Sequence, residues 1–544
     1  MADDPPPLRI CSACNKPPTT ADQKLLVCAK CRKVWYHDVA CQRQHWKQHK
    51  RMCPQLAASY TDGVRVVESG TEEGLGRVAV TTRSFQTGDV VLAEPAAIVM
   101  NTEEDGCFGL WDSFVEAPED IQQGVIEMHH EELPQAQWSI DPRQKMIGSE
   151  FRRYCQSRPA NGSRLSESVA RNLVSIVGLN AHEYTQAAGG MVLTPGSRPP
   201  KSQSGLFVIS SKLQHSCAPN VSFAATGAGV LEHIAESPIE DGDRLSSCYC
   251  DSVYEKSRQQ RREFLQTNKS FLCECQRCMG PDECVPLSCH HCKTGVLFRN
   301  GATKNWACAL CDWSGLTTDN IAQQIRKEGT LRQQMDDVQR SLEHSGINQK
   351  TLQSGIVVQA EITKGLHPLH WLHAACWDLL TALSASYARM LMKDQGMSPN
   401  SGPVVAALRT SGVCQLKRIL WVQRNISVVH GRVTLKDLVT SLDDTVERTL
   451  DYRSIRLPDV VSVLNMVVAS NPQSHDMTDV AHIAYHAGRD LLLAGDVELV
   501  VKLYTRFQNL FPRWKRLSAD DAKNIKALVE TNGRDNRFLN HLVF

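Results

Sequence analysis

The chain lacks any uninterrupted apolar run near the roughly 18 residues that a membrane-spanning helix needs, so no segment is expected to cross a bilayer. It also lacks a charge imbalance. Its 60 Lys and Arg stand against 59 Asp and Glu for a net +1, which removes a global field as a way of recruiting nucleic acid or an anionic membrane. A basic-then-apolar leader is missing: the opening MADDPPPLRI is acidic and proline-rich, so neither signal peptide nor anchor is expected. Compositional extremes are absent as well, since 42% hydrophobic and 22% charged residues exclude collagen-like, coiled-coil and wholly disordered chains. What is present is length, 544 residues, enough for several packed units, and 21 cysteines. Without a secretion signal those thiols point to a reducing compartment, cytoplasm and/or nucleus, where they serve as metal-binding thiolates rather than disulfides.

The cysteines are unevenly spread. Six fall between Cys11 and Cys53, eight between Cys273 and Cys311, and only Cys376 and Cys414 lie beyond. The middle, roughly 60 to 250, carries short β-rich runs such as GRVAVTT and DVVLAEPAAIVM, with helical patterning from about 115 to 178. From about 317 onward apolar residues recur every three and four positions, as in WLHAACWDLLTALSASYARMLM, which predicts a helical array. Its alternation of small and large residues suits paired helices of tetratricopeptide type, without a clean 34-residue period.

Three constellations have metal-ligand spacing. The first pairs Cys11 with Cys14 and Cys28 with Cys31, then adds His37, Cys41, His49 and Cys53, giving the eight donors that two tetrahedral zinc ions require. The second, FLCECQRC, supplies only Cys273, Cys275 and Cys278 and must borrow a fourth ligand. The third, Cys289 and Cys292 followed by Cys308 and Cys311, has zinc-ribbon spacing, and four protein ligands leave no open position for catalysis there. His290 and His291 inside that knuckle could compete as ligands, but residues so placed more often face solvent.

The first constellation resembles the MYND finger, through Tyr36-His37, Cys41-Gln42, Trp46, His49 and Cys53, with His37 where the family usually has cysteine. That resemblance implies that Cys11, Cys14, His37 and Cys41 hold one ion and Cys28, Cys31, His49 and Cys53 the other. Four further segments, GLGRVAV, LNAHEY, LQHSCAPNVSF and IEDGDRLSSCYCD, stand in an order that resembles the SET domain. Together with the finger, the CxCxxC and the helical tail, nearly the whole chain resembles the SMYD family of SET and MYND proteins, protein-lysine methyltransferases that use S-adenosylmethionine. The implied fold is α+β and multidomain: a zinc-bound finger over 1–56 and a β-rich SET domain over 60–265 with a helical insertion at about 110–178; then a post-SET zinc cluster and ribbon over 266–314 and an all-α, tetratricopeptide-like domain over 315–544. The resemblance also implies that Cys217 completes the CxCxxC site, for about four zinc ions in all. It assigns Gly74, Gly76, Arg77, Asn180, Gln214, His215, Tyr249 and Phe271 to the cofactor, His182 and Lys269 to the substrate channel, and the catalytic phenol to Tyr249. Gln214 stands where the family has asparagine, and His182 and Lys269 where it has channel aromatics.

The function expected is methylation of lysine in a protein, histone or other, in transcriptional or signalling regulation. The alternative is an adaptor of weak or no activity whose finger binds proline-rich transcriptional partners, a reading favoured by Gln214, His182 and Lys269. A monomer without membrane contact is expected, and direct nucleic-acid binding is not, because KQHKR at 47–51 offers charge without a reading helix.

Overall fold

The computed structural model describes residues 11, 13, 25–29, 34–44, 46, 49, 53, 61–69, 76–101, 106–130, 134–184, 203–225, 230–250, 252–440, 477–507 and 519–531. In the N-terminal part β1 (Leu26–Val27) pairs antiparallel with β2 (Trp35–Tyr36). The core beneath them is Cys11, Cys28, Val34, Tyr36 and Cys53. Three of these five described core residues are thiols, as in small units that depend on metal to fold.

The middle part is built from small sheets. β3 (Val64–Glu68) pairs with β4 (Arg77–Thr81); β5 (Val90–Pro95) lies at one edge of a sheet completed by later strands; β6 (Ile98–Asn101) leads into a run of helices. These are α1 (Gly106–Glu116), α2 (Glu119–Ile126), α3 (Pro142–Ser157) and α4 (Glu167–Asn180). Local chemistry sets their starts: Asp141 caps α3 by accepting from the Gln144 amide, with Pro142 at the first helical position, and Ser166 caps α4. Their apolar faces bury Trp111, Phe114, Phe151, Tyr154, Leu173 and Ile176 against Ile98, Met100 and Leu206 of the sheet below. That sheet runs β6, β8 (Gln203–Leu206), β7 (His182–Tyr184). After β9 (Gln214–His215) come β10 (Val221–Ala225) and β11 (Val230–Ala235), which extend β5 antiparallel, and then β12 (Ser246–Ser247).

A capping box of Ser257 and Gln260 starts α5 (Arg258–Lys269). Ser270, left-handed at φ 60°, ends it and turns the chain toward Phe271 and Cys273. β13 (Leu287–Ser288), β14 (Val296–Arg299) and β15 (Trp306–Cys308) form the ribbon sheet. The remainder is helical: α6 (Thr318–Ser345), α7 (Gln349–Gly365), α8 (Trp371–Lys393), α9 (Gly402–Val429), α10 (Met477–Leu493), α11 (Val497–Phe507) and α12 (Ala519–Glu530). Its core is continuous with that around Cys217, Cys273 and Cys278, through Tyr254 and Leu265 to Trp421, Leu491 and Leu528. Among the described residues no helix is long and apolar enough to cross a membrane.

Candidate active site and metal centres

Among the described residues four groups of soft ligands converge, the donor atoms within each lying within 4.8 Å of one another: Cys217, Cys273, Cys275 and Cys278; Cys289, Cys292, Cys308 and Cys311; Cys11, His37 and Cys41; Cys28, His49 and Cys53. Cys14 and Cys31, expected as the fourth ligands of the last two, lie outside the described residues. Zinc–sulfur bonds of about 2.3 Å in a tetrahedron put sulfurs about 3.8 Å apart. The sulfurs of Cys217 lie 3.9 Å from Cys273 and 3.6 Å from Cys278, and Cys28–Cys53, Cys289–Cys311 and Cys292–Cys308 are 3.8, 3.9 and 3.8 Å apart. The residues fit zinc. His290 is exposed, and so is His291, whose ring stacks on Trp313.

Four thiolates around a divalent ion leave surplus negative charge, which a buried site must compensate. Here Arg261 and Arg277, both buried, do so: Arg277 donates to the Cys217 carbonyl at 3.0 Å and is anchored by Glu283 through its Nε at 2.7 Å. Cys217 thus ties the 213–217 segment to the CxCxxC turn 56 residues later.

Next to this cluster, β9 and β12 pair in parallel, Gln214 opposite Ser246 and His215 opposite Ser247. Two-residue parallel strands hold poorly by themselves, and Asn220 braces them. Its Oδ1 accepts from the Ser246 amide at 2.8 Å and its Nδ2 donates to the Arg244 carbonyl at 2.8 Å. The crossing delivers Tyr249 against His215: the Tyr249 amide donates to His215 Nδ1 at 3.0 Å and the ring centroids are 5.2 Å apart. With Nδ1 accepting, the proton sits on Nε2, which faces Cys217 Sγ at 3.2 Å. Burial holds the imidazole neutral, down to about 4. Phe271 closes the group, its ring 5.7 Å from His215.

The Tyr249 hydroxyl donates to the Leu213 carbonyl, and burial pushes its pKa up to about 12, so the phenol keeps its proton. Lys269 enters from the end of α5: its Nζ donates to the Leu179 carbonyl at 2.7 Å and lies 5.9 Å from the centre of the Tyr249 ring. His182 packs edge-on against Phe207 and Phe223, at 5.9 and 4.8 Å. Burial, aided by the Lys269 charge, keeps His182 neutral down to about 4.

The remaining expected residues are distributed as follows. Gly76 is left-handed at φ +65°, a backbone that only glycine adopts without strain, with no heavy atom of the described residues within 4 Å of where a Cβ would stand. Gly74 lies outside the described residues. Gln214 Nε2 is buried without a hydrogen-bond partner among the described residues. Asn180 Nδ2 donates to the carbonyls of His129 (2.7 Å) and Ile176 (2.9 Å). Arg77 is not brought into this group; its guanidinium is spent on Glu127, with a 2.5 Å ion pair.

Sequence reasoning missed the supports. Glu94, 6% exposed, accepts from the amides of Ile209 and Ser210 and from the Ser210 hydroxyl, each at 2.8 Å, fixing the turn that ends in the Leu213 carbonyl. A carboxylate inside the apolar strand VVLAEP was the available signal. Asn220 and Arg277 carried none.

With that geometry in view, likeness to known proteins is informative. The family model for the MYND finger matches residues 11–53. Histone-lysine N-methyltransferase SMYD3 of Homo sapiens is 25% identical over 265 residues, 48% of this chain and 50% of that protein. Protein-lysine N-trimethyltransferase SMYD5 of Homo sapiens is 36% identical over 79 residues, 14% of this chain and 19% of that one. The chain carries a MYND finger over residues 11–53 and is similar, over parts of its length, to SET and MYND proteins. Beside the finger, its described residues hold a middle of small sheets and helices, several cysteine clusters and a C-terminal helical region. It spans about half the length of the SMYD3 proteins it matches. The crystal structure of the SET domain of LSMT bound to lysine and AdoHcy aligns over 92% of this chain and 98% of that one at 9% identity, and its TM-score of 0.26 is too low to establish a shared fold.

Proposed function

We propose that this protein is an S-adenosylmethionine-dependent protein-lysine N-methyltransferase. The observation that carries the reading is the convergence of Tyr249, His215, Phe271 and Lys269 at the β9–β12 crossing, braced by the Cys217 cluster. The matched SMYD3 and SMYD5 proteins, named as lysine methyltransferases, support it.

The residues present suit such a cofactor. Phe271 offers an aromatic face and, among the described residues, Gln214 Nε2 an unpaired donor and Gly76 unhindered backbone. When bound, S-adenosylmethionine supplies an electrophilic methyl on a sulfonium. The chain must then align an amine lone pair with the carbon–sulfur axis and keep that amine neutral. Tyr249, its hydrogen committed to Leu213, presents oxygen lone pairs that accept a hydrogen bond from an amine N–H and so orient the nitrogen. Its raised pKa makes it an orienting group and not a general base. The apolar walls of Phe207, Phe223 and neutral His182 favour an uncharged amine by desolvation.

Four zinc ions, Cys14 and Cys31 completing the finger, brace the architecture. A lysine-bearing protein segment, histone or other, is the substrate, and the compartment is cytoplasm or nucleus, with a role in transcriptional or signalling regulation. A second role for the finger, docking a proline-rich partner, is supported by Leu26, Val27 and Trp46, each about 45% exposed. Titration calorimetry with S-adenosylhomocysteine tests the main reading: micromolar binding that Phe271→Ala weakens is expected, and no heat at millimolar ligand would overturn it.

A further inference from the structure

The Lys269 ammonium is half-buried and carries no carboxylate partner among the described residues; its hydrogen bond goes to the Leu179 carbonyl and its face contact to the Tyr249 ring. Such a charge is normally paired or turned out to solvent. Here it is held by a backbone acceptor and an aromatic face, the same two features that a lysine amine entering the site would need. The last turn of α5 favours a cation at that point, and the left-handed Ser270 ends the helix directly after it. His182 lies close enough to feel the same charge. The set comprises Leu179, His182, Tyr249 and Lys269, drawn from three separate segments.

We infer that Lys269 is a specificity-determining residue that occupies the position of the substrate amine, so that an incoming lysine must displace its ammonium from the Leu179 carbonyl before it can meet Tyr249. This rests on the methyltransferase reading. Two consequences distinguish it from a purely structural role. Removing the cation should help the substrate, because two like charges within about 6 Å in a partly desolvated site oppose each other by enough to shift affinity about ten-fold or more. Keeping the cation while changing its shape should not help.

The test compares the full-length wild type with Lys269→Met and Lys269→Arg, using tritiated S-adenosylmethionine and, as acceptors, mixed core histones and a methylation-depleted lysate. S-adenosylhomocysteine affinity is measured for all three to confirm intact cofactor sites. The expected result is a KM for the protein acceptor about ten-fold lower in Lys269→Met, with no such gain in Lys269→Arg. An unchanged or higher KM in Lys269→Met, with wild type active, overturns the inference and leaves the enzyme reading standing. An equal gain in Lys269→Arg overturns it too, because the charge is then irrelevant. No label from any of the three sinks the enzyme reading and the inference together.

Discussion

Tyr249 was legible as a residue because it sits in CYCD beside other matching segments; what the sequence could not supply was its hydrogen bond to Leu213, a partner 36 positions away. The same holds for Lys269, which the family resemblance assigns to the substrate channel without any sign of the Leu179 carbonyl. Phe271 follows a helix end that positions it beside His215. Its truncation to alanine is expected to weaken S-adenosylhomocysteine by about 1–3 kcal/mol, a stacking loss, readable by calorimetry. The imidazoles give a pH signature. Burial lowers His182 to about 4 and His233, 0% exposed, to about 3. A histidine whose folded pKa lies below its unfolded value binds fewer protons when folded. Stability therefore rises with pH between those folded values and about 6.5, and is lost on acidification through that window. Thermal denaturation at pH 7 and pH 5 should give the higher midpoint at pH 7, and His233→Gln should flatten the difference. An equal midpoint in the wild type would contradict the buried neutral state.

Among elements, those with a long apolar period, α8 and α9 above all, could be read from the sequence, while β9 and β12 could not. Two residues carry no periodicity, and their parallel pairing depends on Asn220 and on Cys217. Asn220→Ala removes three hydrogen bonds to the 244–246 segment. It should cost about 1–3 kcal/mol of stability and lower methyl transfer more than cofactor binding, since Tyr249 lies three residues beyond the clamp. Unchanged turnover would show that the crossing does not depend on it. Cys217→Ser should leave one zinc fewer per chain by elemental analysis, because three thiolates of the CxCxxC turn lack the fourth donor. An unaltered zinc count would remove Cys217 from the site.

For the whole molecule, the helical array and the cysteine cluster share one core. The 253–255 turn that follows Tyr249 is held by that array: the Tyr254 carbonyl accepts from Asn425 at 3.0 Å, Tyr254 meets His430 at 2.9 Å, and Glu255 takes a bidentate pair from Arg418 at 2.7 and 2.9 Å. Patterning revealed the helices, but these polar joints link residues more than 160 positions apart and left no local mark. Arg418→Ala should raise hydrogen exchange in the 252–256 turn and reduce turnover several-fold while zinc content stays constant; exchange confined to α9 would contradict such a coupling. The account as a whole stands on the phenol at the crossing. The most direct measurement is tritiated methyl transfer from S-adenosylmethionine to protein lysine by wild type and Tyr249→Phe. At equal S-adenosylhomocysteine affinity, the account predicts labelled methyl-lysine from the wild type and a loss of about a hundred-fold in kcat for the variant. Equal rates for the two proteins would contradict it.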